Sequence, residues 1–272
     1  MTRTDIALVA ALVAVVLLAG VGGAMLGGDA LGVVAALAVA AAALLAAQLA
    51  SHRVLKDRVR RVEDRAAGTE TLVGLYRALP VRAPLPATDA WSATPDFLAL
   101  VAETVAERRP ALVVECGSGT STVVAAYALE ANGGGRVVSL DHEAPFAERT
   151  RGLLRRHGLV ERGEVRHAPL APVPDAAPGG AGRWYDGAAW ADLDGIDVLV
   201  VDGPPTGDDP GARGPALRLL WDRLAPGAVV LVDDAARPGE RAVVAAWAGR
   251  FPDLDVAYLP LQKGAYVLRK PA

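Results

Sequence analysis

The chain has 272 residues, 52% of them hydrophobic, and a formal net charge of −3. Its single cysteine, Cys116, excludes an internal disulfide and a cysteine-based zinc site, and is read as a small buried residue. Residues 67–272 hold 21 Lys and Arg against 26 Asp and Glu, a net of −5, which leaves no electrostatic footprint for nucleic acid.

The hydrophobic excess sits at the front. Ile6 to Leu26 carries no charge, and neither does Ala30 to Ala50. Each run is long enough to cross a hydrocarbon core of roughly 30 Å as a helix. A cleaved signal peptide is the alternative for the first run, and a second span directly behind it argues against that. Residues 1–50 are therefore expected to form a transmembrane hairpin with spans at 6–26 and 30–50. The connection between the spans has no Lys or Arg, whereas Arg53, Lys56, Arg58, Arg60, Arg61 and Arg65 follow the second. The positive-inside rule then places both ends in the cytoplasm, as a multi-pass protein of the inner or plasma membrane. The basic segment also suits contact with anionic headgroups.

Apolar residues at near-helical spacing predict a basic helical stalk over 51–78, with a surface on which copies of the chain can pair. The Pro-rich segment 79–93 reads as a linker. At "TPDF", Thr94 suits an N-cap and Pro95 the first helical position, opening a domain over 94–272. Strands are then predicted at Leu112–Glu115, Arg136–Asp141, Glu164–His167, Asp197–Asp202 and Ala228–Asp233. Helices are predicted at Ser121–Ala131, Pro145–His157, Ala212–Leu224 and Glu240–Arg250. Short apolar strands alternating with helices argue for a doubly wound, Rossmann-like α/β sheet, mostly parallel. "DVAYLPL" and "GAYVLRK" add a terminal antiparallel pair. Ala171 to Asp194 is rich in Pro and Gly and contains Trp184, Tyr185 and Trp190. It is expected to be a lid or binding loop, with a surface insertion as the alternative.

The turn "VVECGSGTST" carries the chemistry. With no lysine, it is not a Walker loop. Gly117 and Gly119 are followed by Thr122 where a dinucleotide fingerprint needs a third glycine. Glu115 ends the strand, where a carboxylate facing the crevice suits an ammonium group. Ser118 lies between the glycines, and Ser121 and Thr122 offer donors to a carboxylate at a helix N-terminus. Asp141 ends the second strand, a place for ribose hydroxyls. An amino acid and a ribose together describe S-adenosylmethionine.

With "VVSLDHE", "VRHAPL", "IDVLVVDGPP" and "PGAVVLVDDAAR" in order behind that turn, the chain resembles class I S-adenosylmethionine-dependent methyltransferases from about Thr94 to Arg269. It is most similar to small bacterial members with Asp-Gly-Pro-Pro and Asp-Asp-Ala-x-Arg motifs. The resemblance implies that Glu115, Gly117 and Gly119 surround the methionine part of the donor. It implies that Asp141 holds the ribose with His142 beside it, and that Ala168 and Pro169 lie near the adenine.

Asp202, Asp233 and Asp234 converge at strand ends, and such an oxygen cluster suits Mg²⁺ or another divalent cation. Catechol and caffeoyl-coenzyme A O-methyltransferases resemble this layout, with an Asn at the position of Asp234. The resemblance implies Asp202 and Asp233 as catalytic and all three as metal ligands. Those relatives have a lysine base after the first acid, where this chain has Pro204 and Pro205. Arg213 and Arg237 either clamp an anionic substrate or pair with Asp208, Asp209 or Glu240. His157 reads as a solvated helix residue. The expected activity is methyl transfer, to oxygen, on a small-molecule or lipid-linked envelope acceptor. An NAD(P)-dependent oxidoreductase is disfavoured by Glu115 and by the lack of a Tyr-x-x-x-Lys pair. A non-catalytic membrane scaffold with the same domain is the third reading.

Overall fold

A computed structural model describes Gly22 and residues 30–86, 92–173, 182–207 and 209–272. They fall in two compact units divided after Ala66. Helix α1 (Ala30–Ala78) is continuous through the boundary expected between second span and stalk. Its alanines and leucines are strong helix formers and nothing in it breaks the helix. Leu37, Leu44, Leu45, Leu49, Leu55 and Val62 on it are all exposed. By length and composition alone, the stretch Leu37–Ala78 could cross a membrane, and it is one such helix among the described residues. The first expected span, 6–26, lies outside the described residues apart from Gly22, so no hairpin is seen.

The second unit contains the remaining elements. Leu75, near the end of α1, and Leu79 just beyond it are buried in its core. The segment read as a linker is tied down where it is described. The Arg82 amide donates to the Tyr127 hydroxyl at 2.9 Å, and the Leu85 amide to the Tyr76 hydroxyl at 2.8 Å. Next come α2 (Pro95–Arg108), β1 (Leu112–Cys116), α3 (Thr120–Ala131), β2 (Arg136–Asp141), α4 (Ala144–His157) and β3 (Gly163–His167). Two short strands follow, β4 (Leu170–Pro172) and β5 (Arg183–Tyr185). The chain ends with β6 (Ile196–Val201), α5 (Pro215–Leu220), β7 (Leu224–Val232), α6 (Pro238–Arg250), β8 (Asp255–Leu259) and β9 (Ala265–Arg269).

Seven strands form one sheet in the order β3-β2-β1-β6-β7-β9-β8. β9 runs antiparallel to β7 and to β8, and the other pairs are parallel. The expected Rossmann-like sheet with an antiparallel end is thus present. Side chains alternate between two cores, as a period of two requires. Val113, Val137, Val198, Val200 and Leu231 belong to one core with α2, α3 and α4. Val114, Val138, Leu140, Leu199 and Val230 belong to the other with α5 and α6. Covered on both faces, the central strands are largely apolar on both sides, which is why the pattern reads as continuous rather than alternating.

Three local expectations fail. Thr94 stands at the N-cap, but its hydroxyl does not cap the helix and is buried without a partner among the described residues; Asp96 accepts from the Phe97 amide instead. The helix expected over Ala212–Leu224 shrinks to α5 and one 3₁₀ turn, and β7 begins at Leu224, four residues early. His157 is buried, not solvated, and its Nδ1 lies 2.8 Å from the Tyr127 hydroxyl.

Candidate active site

The β1–α3 turn makes the floor. The Gly117 amide donates to the Leu140 carbonyl across the β1–β2 pair. Gly117 has φ +99, a conformation that favours glycine. At Gly119 a Cβ would meet nothing within 4 Å, so the second glycine keeps backbone open to the cavity. The Gly119 amide donates to Thr122 Oγ1 at 3.0 Å, which ties the turn to the helix it opens. Asp141 ends β2 and is buried. It accepts from the Ser118 hydroxyl at 2.5 Å and the Glu143 amide at 3.0 Å. The Thr150 hydroxyl lies 3.0 Å from Ser118 Oγ, which can accept from it, so α4 is drawn into the same network.

Above this floor is a cavity of about 470 Å³. It lies at the carboxyl ends of β1, β2 and β6, where a doubly wound sheet opens a crevice. Gly117, Ser118, Gly119, Ser121, Asp141 and His142 all line it, and so does Asp202 from the end of β6.

Glu115 does not. By the alternation of β1 it shares a face with Val113 and points under α3, not into the crevice. It is 2% exposed and accepts from the hydroxyls of Thr122 and Ser139, the latter its register partner on β2. Burial pushes its carboxyl up, and the hydroxyls of Ser121, Ser139 and Thr122 oppose this. Glu115 thus holds the turn from beneath. Thr122 is fully buried in that work and does not line the cavity. Ala168 and Pro169 are also away from it. The Ala168 amide donates to the Asp141 carbonyl at 2.7 Å, and Pro169 accepts from Asp186 at 3.0 Å.

The three acids meet, with ligand oxygens within 4.8 Å of one another. Between them lies Arg213, itself buried. Arg213 donates to the Asp233 carbonyl, the Asp202 carbonyl and Asp234 Oδ2, each at 3.0 Å. Its Nη1 is 3.4 Å from Glu240. Arg237 also reaches Asp234 Oδ2, at 2.9 Å. Both arginines therefore pair with acids; Arg213 takes Asp202 and Asp234 beside the expected Glu240, while Asp208 lies outside the described residues. Four carboxylates face two guanidiniums, and burial together with this excess of negative charge raises the proton affinity of Asp202, Asp233 and Glu240. Burial pushes Asp202 up to about 7, with Arg213 opposing and Asp234 adding repulsion. Burial, then the charges of Asp202 and Asp234, push Asp233 up to about 8. Asp233 Oδ1 accepts from the Asp234 amide at 2.7 Å, while its Oδ2 is buried without a partner among the described residues.

Residues 114–235 match the family model of a methyltransferase domain. This stretch is a methyltransferase domain. Solved methyltransferases share the fold at low identity. An S-adenosylhomocysteine-bound methyltransferase from Podospora anserina is 17% identical over 80% of this chain and 96% of its own, with a TM-score of 0.54. The O-methyltransferase TomG from Streptomyces achromogenes, solved with S-adenosylmethionine, is 17% identical over 77% and 99%, with a TM-score of 0.51. An O-methyltransferase from Bacillus cereus, in complex with S-adenosylhomocysteine, is 18% identical over 75% and 90%, at 0.50. No curated protein matches the chain at a significant level.

Several residues lining the methyltransferase cavity were not foreseen. Phe146, Arg149 and Thr150 come from α4, Ser92 and Ala93 precede α2, and Tyr185 comes from β5. The helical spacing of Phe146, Arg149 and Thr150 was visible, but which face of α4 meets the crevice depends on packing. Tyr185 did carry a signal, as an aromatic in the expected lid. That stretch is a tied hairpin where described, since β4 pairs with β5 and Trp184 is 1% and Tyr185 3% exposed. Residues 174–181 lie outside the described residues.

Proposed function

We propose that this protein is a membrane-anchored O-methyltransferase that binds S-adenosylmethionine on the β1 turn and Asp141. One observation carries the oxygen specificity. Asp202 lines the cavity and is held near neutrality, so its carboxylate can take a proton from an acceptor hydroxyl as the methyl group is transferred. An acceptor hydroxyl needs such a base, and this chain lacks the lysine used by its distant relatives. Asp233 shares the rise in proton affinity and gives the accepted proton a second resting place in the pair.

The acids also fit a divalent cation in part. Asp202 and the unpartnered Asp233 Oδ2 would hold it, while Asp234 is already neutralised by Arg213 and Arg237. Such an ion, when bound, lowers the pKa of a coordinated hydroxyl. In its absence, protons kept on Asp233 and Glu240 relieve the same charge imbalance and leave Asp202 free to act as the base.

Membrane anchoring is supported by the exposed apolar surface of α1 and by the basic run behind it. We place both ends in the cytoplasm, with a small-molecule or lipid-linked acceptor, and a pairing of chains through the 51–78 segment. The deciding experiment is calorimetric titration of the full chain in detergent with S-adenosylmethionine, S-adenosylhomocysteine and NAD(H). Binding of the two sulfur ligands and not NAD(H) is expected. NAD(H) binding alone would return the oxidoreductase reading, and donor binding without turnover on any acceptor panel would leave the scaffold. Activity that persists in excess EDTA would remove the cation from the mechanism and keep the methyltransferase.

A further inference from the structure

Tyr185 is 3% exposed, yet its ring lines the cavity beside Gly117, His142 and Asp202. Its hydroxyl is buried and has no hydrogen-bond partner among the described residues. The hydroxyl rests against Gly203, just past the end of β6. A Cβ placed on Gly203 would lie 2.4 Å from it and 3.0 Å from the Gly117 nitrogen. The bare Cα of Gly203 thus makes room for a hydroxyl at the seam between the β1 turn and the β6 end. The ring is fixed on two sides, edge-on to Trp184 at 5.2 Å and edge-on to His142 at 6.5 Å. Its backbone is fixed too, opposite Leu170 in the β4–β5 pair.

A buried hydroxyl in a native fold nearly always has a partner. A rigidly held one that lacks a partner, on the wall of a cavity, marks a position for a ligand atom. We propose that Tyr185 is a binding residue for the methyl donor, its hydroxyl donating a hydrogen bond to the S-adenosyl ligand between the β1 turn and Asp202. The donor is favoured over the acceptor because Gly117 and His142, two of the residues flanking Tyr185, belong to the donor end of the cavity. The inference rests on the reading of this cavity as the S-adenosylmethionine site.

Tyr185→Phe tests it, since it removes one oxygen and keeps the shape. In the full chain in detergent, calorimetry should show S-adenosylhomocysteine binding weakened about five- to tenfold. The thermal midpoint without ligand should stay level or rise, because the hydroxyl has nothing to lose there, while the stabilisation by saturating S-adenosylhomocysteine should shrink. A hydroxyl with a merely structural role would do the reverse, lowering the ligand-free midpoint and leaving affinity intact, and that result overturns the proposal. Gly203→Ala, which crowds the hydroxyl without removing it, should also weaken binding. Unchanged affinity in that variant would count against the proposal even if Tyr185→Phe proved too unstable to measure. A wild type that does not bind S-adenosylhomocysteine would overturn the cofactor reading itself, together with this consequence of it.

Discussion

Among single residues, Asp202 and Asp233 set the response to pH. Both have folded-state pKa values raised above the ordinary carboxylate range. An acid raised in the folded state binds its proton more tightly there than in the unfolded chain. Its contribution to stability is full below the unfolded value and is lost as pH rises through the folded one. The thermal midpoint should therefore fall between about pH 4 and pH 8, and Asp233→Asn should flatten that fall. Turnover should move the opposite way, rising through about pH 7 as Asp202 becomes a base. Asp202→Asn should then cut kcat by about a hundredfold or more with little change in S-adenosylhomocysteine affinity. Arg213 is the counterweight. Replacing this buried guanidinium by Met leaves the acids uncompensated and should cost about 3–5 kcal/mol in urea unfolding. The loss should be smaller at pH 5, where Asp202 and Asp233 carry protons. Equal losses at pH 5 and pH 8 would mean that Arg213 acts through packing alone.

The β1–α3 turn separates two acids that look alike in the sequence. Asp141 lines the cavity, and Glu115 lies beneath the turn with Thr122 and Ser139. Asp141→Ala should weaken S-adenosylhomocysteine binding at least about fivefold, with the fold only slightly affected. Glu115→Ala should lower the thermal midpoint first, by the equivalent of about 1–3 kcal/mol, because two buried hydroxyls lose their acceptor. Its effect on affinity should follow from the loosened turn. Comparable melting of the two variants would show that this division of labour is wrong. The β4–β5 hairpin is anchored by Trp184, edge-on to Tyr185 and to Trp190. Trp184→Ala removes a fully buried ring and should cost about 3–5 kcal/mol in chemical denaturation. A lid free to open would lose far less.

For the whole molecule, the open question is its relation to the membrane. Cysteines introduced at Gly28 and Ser51 should label differently from outside intact cells, and external labelling at Ser51 would overturn the cytoplasmic assignment. The native Cys116 gives little background, because it is buried and burial pushes its thiol far up. The sequence by itself determined the order of strands and helices, since apolar runs of strand length separated by amphipathic helices admit few other arrangements. It also determined the glycine turn, Asp141 and the acid cluster, because backbone freedom and charge at strand ends are written in residue type. Packing alone decided the rest. Whether a carboxylate such as Glu115 faces the crevice depends on which side of the strand a helix covers. Whether Asp202, Asp233 and Asp234 gather a metal, protons or an arginine depends on where the turn before α5 places Arg213, a residue whose partners are not its sequence neighbours. Tyr185 became part of the cavity only because a hairpin, invisible as a pattern three residues long, folds it back against Gly203.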